Sequence, residues 1–158
     1  MTDNYIGIMI ESLRRKKDVL TDILKLSEEQ SILLDDPNLE PDTFEKNVNR
    51  KAALIDKLEQ LDTGFESLYD KVKEELESNR DIHKEQIRQM QELIRALTEL
   101  NMQIQATEAR NKEKATAKFA YIRQQAKEIR SSQKIVKEYY NNMMHKAYNE
   151  PHFLDNKK

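Results

Sequence analysis

The sequence predicts an all-α protein built from long helices, on three observations. Punctuation is scarce: the 158 residues include two Gly and three Pro, with neither between Phe65 and Glu150. A sheet protein of this length would need many turns and the residues that make them. Lys, Glu, Leu, Gln, Asn and Ala are abundant, with strong helix formers prominent. Apolar side chains recur at steps of three and four, which gathers them on one face of a helix. The implied architecture is an elongated antiparallel three-helix bundle, coiled-coil-like, with a long third helical region. An apolar fraction of 37% and a mean hydropathy of −0.90 suit helices that bury one stripe and show the rest to water.

The first helix is expected from about Asn4 to Leu34, with Asp3 or Asn4 accepting from the free N–H groups of its first turn. Its stripe is Ile6, Met9/Ile10, Leu13, Leu20, Ile23/Leu24, then Leu26, Ile32 and Leu33. Lys16 and Lys17 interrupt it, and one of them is expected to lay its stem over apolar surface with the ammonium in water. The segment "DDPNLEPD", Asp35 to Asp42, is the strongest break, because each proline pushes its predecessor out of the α region. Pro41 suits the first helical position. Alternatively Asp42 caps the second helix, with Glu45 three residues on.

The second helix carries the most regular stripe: Phe44, Val48, Lys51, Leu54/Ile55, Leu58, Leu61, Phe65, Leu68, Val72 and Leu76. Lys51 on the apolar side is either a pairing site for an acidic group or a boundary residue covering the core with its stem; the second reading is preferred. Gly64 costs about 1 kcal/mol relative to Ala, and the stripe continues past it, so it is expected to permit a close helix contact. Apolar spacing lapses between Leu76 and Ile82, and "ESNRD", Glu77 to Asp81, holds the best turn residues.

The third region begins with Ile82, Ile87, Met90, Leu93/Ile94, Leu97, Leu100/Asn101, Ile104 and Glu108. It thins to alanines in "EARNKEKATAK" and resumes at Phe119, Ile122, Ala126, Ile129, Gln133, Val136, Tyr140, Met143 and Ala147, until "NEP" stops it. At 1.5 Å per residue the first helix is roughly 45 Å long, the second roughly 54 Å and the third region roughly 100 Å. The two shorter helices cover only its first half, and 110–133 is where it can break. The rest must overhang, fold back, pair with another copy or bind something else. The expected organisation is a bundle over 1–112, an amphipathic extension over 113–150 and a loose tail over 151–158.

Catalytic chemistry finds no foothold. The chain has no Cys, and its histidines, His83, His145 and His152, are preceded at three residues by Arg80, Asn142 and Asn149. A Glu-x-x-His di-iron bundle therefore fails, and Gly7 and Gly64 cannot make a phosphate loop or a nucleophile elbow. No catalytic residue, metal ligand or cofactor is expected. Glu28–Glu29 and Glu74–Glu75 are expected to face water. No apolar run approaches the ~20 residues of a bilayer span, and "MTDNYIGIMIE" does not read as a signal peptide. A soluble cytoplasmic protein without stable membrane insertion is expected. Net charge is −2, divided into −8 over residues 1–104 and +6 over 105–158. No basic run is dense enough for nucleic acid, but the basic third could attract an acidic partner.

Six of the ten aromatics lie at or after Phe119, and Met143 and Met144 are adjacent. On a helix Val136, Tyr140, Met143 and Ala147 share a face that Tyr139, Met144 and Tyr148 widen. Met adapts to imperfectly matched partners, and Tyr offers large contact area while tolerating water. Ile129, Val136, Tyr139, Tyr140, Met143, Met144 and Tyr148 are the candidate partner-binding residues, with a partner helix as the fitting occupant. The competing reading is that this segment completes the bundle or forms a homodimer seam.

Two segments carry a family resemblance: "LTDILKLSEEQSILL", Leu20 to Leu34, and "FEKNVNRKAALIDKLEQLD", Phe44 to Asp62, on either side of a short acidic break. The Glu28/Glu29/Gln30 cluster and the K-x-x-L-I-x-x-L-x-x-L pattern from Lys51 to Leu61 resemble the FlgN-type flagellar export chaperones, over residues 10–105. The resemblance implies a small cytoplasmic helical chaperone of type III export. Such a chaperone holds the helical C-termini of hook–filament junction proteins and delivers them to the export gate. It further implies that a C-terminal helix carries much of the cargo contact and that a tyrosine, here Tyr121, Tyr139 or Tyr140, helps dock on the gate. A chaperone of the filament cap protein and a self-associating structural tether are the alternatives.

Overall fold

The computed structural model describes residues 2–125 and 137–142. They form three long helices, α1 (Thr2–Asp35), α2 (Pro41–Ser78) and α3 (Lys84–Gln125), and 137–142 are helical as well. No strand occurs among the described residues.

The first break falls where the prolines place it. Asp36 N–H donates to Leu33 O at 3.1 Å, and the Asp36 carboxylate accepts from Asn38 N–H at 2.8 Å. Glu40, before a proline, is extended at φ −87°, ψ 136°, and Pro41 opens α2. No side chain caps that helix, so Asp42 sits in its first turn instead of ahead of it. α1 likewise starts at Thr2, which puts Asp3 inside the helix and not at its cap. The second turn lies over 79–83, two residues later than the sequence indicates. Buried His83 secures it, with Nε2 3.3 Å from Glu75 of α2 and Nδ1 3.8 Å from Asp3 of α1.

α1 lies against both other helices, antiparallel to α2 and parallel to α3, while the α2 and α3 backbones do not pack on each other. Ile6, Met9, Leu13, Leu20 and Ile23 of α1 meet Val48, Ile55, Leu58 and Val72 of α2 and Met90, Leu97 and Ile104 of α3. Burying each such side chain contributes roughly 1.5–3 kcal/mol. Ile32 departs from the expected stripe: it is 71% exposed, and Leu34 is buried in its place. α3 runs unbroken through the alanine-rich stretch as far as Gln125, with Ala115 fully buried on its inner face. Residues 126–133 of the expected break lie outside the described residues.

Three expectations are corrected. An added Cβ at Gly64 would touch nothing within 4 Å, so no close contact requires that glycine. Lys51 does not drape its stem over a boundary; it is wholly buried and paired with Glu108. Lys16 does not reach water either: it is buried and paired with Asp62, while Lys17 is exposed. Both corrections have one cause. A carboxylate inside the bundle makes a buried ammonium tolerable, and its distance along the chain hides the pairing.

Candidate partner-binding surface

Because α1 holds α2 and α3 apart, a seam runs between those two helices along the bundle, and it differs in three stretches. At the end beyond the α1–α2 turn, α3 outruns α1. Lys114 donates to Ser31 Oγ and Asp35, each at 2.9 Å, and Lys118 to Asp36 O at 2.6 Å. Phe119 follows on α3, and Phe44 is the first large apolar residue of α2. Tyr140, only 2% exposed, fills the space between them, its ring centroid 5.8 Å from Phe44 and 6.3 Å edge-on from Phe119. Neighbouring Tyr139 is half-buried and hydrogen-bonds to the Glu45 carboxylate, which holds its phenol above the usual range.

A buried polar layer closes the middle. The Lys51 ammonium of α2 donates to Glu108 of α3, which also accepts from Ser27 Oγ of α1. Lys51 reaches Gln30 Oε1 at 3.3 Å, and Asn111 Nδ2 donates to that oxygen at 3.1 Å and to Ser27 O at 2.9 Å. Burial pushes the Lys51 pKa below 10.5, and the charge and hydrogen bond of Glu108 only partly offset this. Among the described residues, Glu108 Oε2, Gln30 Nε2 and Asn111 Oδ1 have no hydrogen-bond partner.

The third stretch, toward the α2–α3 turn, is an open groove of about 670 Å³. Met9 of α1 is its floor, Phe65, Tyr69 and Leu76 of α2 form one wall, and Ile87, Met90 and Ile94 of α3 the other. Tyr69 and Ile94 are 41% and 39% exposed, so apolar surface faces water here. Glu66, Asp70, Glu77 and Arg80 line the same side as α2, an acidic balance. Phe65 and Ile94 also border a small cavity beside the Lys16–Asp62 pair, which marks the inner end of the groove.

Of the residues singled out in the sequence, Tyr139 and Tyr140 come together on the bundle at Glu45, Phe44 and Phe119. Ile129, Val136, Met143, Met144 and Tyr148 lie outside the described residues. The groove was not foreseen. Met9, Phe65, Leu76, Ile87, Met90 and Ile94 belong to expected core stripes and Tyr69 to none, and the separation of α2 from α3 leaves the groove between them open. Among the described residues no group of His, Asp or Glu could hold a metal ion, and no helix is long and apolar enough to cross a membrane.

The family described as "FlgN protein" matches residues 1–145, and the chain belongs to it. That span extends beyond 10–105 to include Tyr139, Tyr140, Met143 and Met144, and stops short of Tyr148. Comparison with curated proteins and with solved structures finds no match. Membership gives the general role, that of a flagellar export chaperone.

Proposed function

We propose that this chain holds the helical C-terminal segments of hook–filament junction proteins in the cytoplasm before type III export. The grip is the amphipathic C-terminal face, Ile129, Val136, Tyr139, Tyr140, Met143, Met144 and Tyr148. The observation that carries the reading is the seat of Tyr140. A bundle that binds its own Tyr140 between Phe44 and Phe119 keeps residues 137–142 at its end, beside the junction of α1 and α2. Aromatic pairs of this kind contribute about 0.5–1.5 kcal/mol each beyond their burial. Tyr140 is thus an anchor that lowers the ordering cost of capturing cargo, and the Tyr139, Met143 and Met144 side chains receive the cargo helix. The +6 balance of residues 105–158 favours an acidic cargo segment.

Docking on the export gate belongs to the same reading. Tyr121 is the tyrosine assigned to it, since it stands 62% exposed on α3 past the α1–α2 turn. The test is calorimetric titration of the full chain, and of a chain ending at Arg130, with the C-terminal helix of a junction protein. One-to-one binding that disappears on truncation, with helical content otherwise retained, is expected. Binding that survives truncation moves the site into residues 1–130. No binding by either chain together with a stable homo-oligomer would indicate a structural tether.

A further inference from the structure

The two ends of the α2–α3 seam are built alike and filled differently. At one end the gap between Phe44 and Phe119 is occupied by an aromatic side chain from a helical segment of the chain itself. At the other, the gap between Phe65 and Tyr69 of α2 and Met90 and Ile94 of α3 is open over Met9. The Lys51–Glu108 layer lies between them. Phe44 and Phe65 are 21 residues apart on one helix, roughly 30 Å, so one short helix cannot occupy both ends.

From this geometry we infer that the open groove is a second docking site, for an amphipathic helix of another protein with Lys or Arg along one edge. The α2 wall from Phe65 to Leu76 is roughly 17 Å long, about three turns of an occupant. The occupant's apolar stripe would meet Met9, Met90 and Ile94, and its basic edge would face Asp70, Glu77 and their acidic neighbour on α2. Charge decides the class of partner. The groove is acidic, whereas residues 105–158 carry +6, so the two ends of the molecule select opposite partners and can be occupied together. The site stands on the groove alone and does not depend on how the C-terminal face is used.

The test uses the full chain with methyl-labelled methionines. The probe is a designed amphipathic peptide of about 18 residues, roughly 27 Å as a helix, with a Leu stripe and a Lys edge. A control peptide carries Glu in place of Lys. Five of the six methionines report on distinct places: Met9 and Met90 line the groove, Met102 is 65% exposed eight residues beyond Ile94, and Met143 and Met144 belong to the C-terminal segment. The Lys peptide is expected to shift the Met9 and Met90 signals and leave Met102 unmoved. The Glu peptide is expected to bind at least tenfold more weakly. The double variant Asp70→Lys, Glu77→Lys changes two exposed positions and is expected to reverse that ranking. Equal affinity for both peptides, shifts confined to Met143 and Met144, or no shift at all would overturn the proposal. So would Met9 and Met90 signals that move with protein concentration alone, since a second copy would then fill the groove.

Discussion

Replacing Lys51 by Met should be among the most damaging single substitutions in this protein, and replacing Glu108 by Leu in addition should undo the damage. Lys51 is fully buried and Glu108 is 1% exposed, so no solvent screens the survivor of a broken pair. Lys51→Met leaves the Glu108 carboxylate with the Ser27 hydroxyl as its hydrogen-bond donor. Stranding a buried charge in this way costs roughly 3–5 kcal/mol, a large share of the ~5–15 kcal/mol that holds a domain together. In the double variant the charge is gone. Gln30 Oε1 keeps the Asn111 donor, and Ser27 Oγ can turn to a carbonyl one turn back. Three atoms of the layer have no partner among the described residues, so an apolar replacement forfeits little. The double variant is expected within about 1 kcal/mol of the native chain, or above it. Urea unfolding followed by circular dichroism reads all four corners of the cycle, with the slope unchanged if only stability has moved. A single substitution costing under about 1 kcal/mol, or a double variant costing the sum of the singles, would mean that Lys51 and Glu108 are not a coupled buried pair.

The same pair gives a pH dependence. Burial lowers the Lys51 pKa in the folded chain below its unfolded value of 10.5. Within that window the unfolded chain holds a proton that the folded chain has released, so stability contributed at Lys51 rises with pH. The native chain should therefore gain on the Lys51→Met, Glu108→Leu variant as pH rises toward about 10, and a relative loss would contradict the assignment. Gly64→Ala should stabilise by up to about 1 kcal/mol, raising Tm by roughly 2–4 °C in a calorimetric scan, since the new methyl meets nothing within 4 Å. Glu45→Gln should lower the Tyr139 pKa, followed by the ring-carbon NMR shift, because the carboxylate that favours the neutral phenol is gone. Tyr140→Ala should increase amide exchange over 137–142 while leaving the α1 core protected, because its contacts are with Phe44 and Phe119 at one end of the bundle.

The fold was legible because its signals are local. Proline fixes the break at Pro41, scarce Gly and Pro predict long helices, and steps of three and four mark the inner faces of α1, α2 and α3. Pairing was harder to read, because it is not local. Lys51 and Glu108 both sit on stripe positions 57 residues apart, and each taken alone resembles a flaw in its own stripe. A rule that matches opposite charges on facing stripes at the same height would have found them, but not Lys16 with Asp62, since Asp62 lies off the α2 stripe. The groove was illegible for another reason. Met9, Phe65 and Ile94 carry the same sequence signal as core residues, and only the spacing between two helices decides that they line an opening. Of the C-terminal candidates, Tyr140 carries the sequence signal of an apolar position, but nothing local says that it meets Phe44 and Phe119.

In the proposed function the C-terminal face receives cargo and the groove does not. Methionine-methyl spectra of the full chain, titrated with the C-terminal helix of a hook–filament junction protein, test it most directly. Shifts at Met143 and Met144 that saturate at one equivalent are expected, with Met9 and Met90 unmoved. Shifts at Met9 and Met90 in place of Met143 and Met144 would contradict it, and would place cargo between α2 and α3.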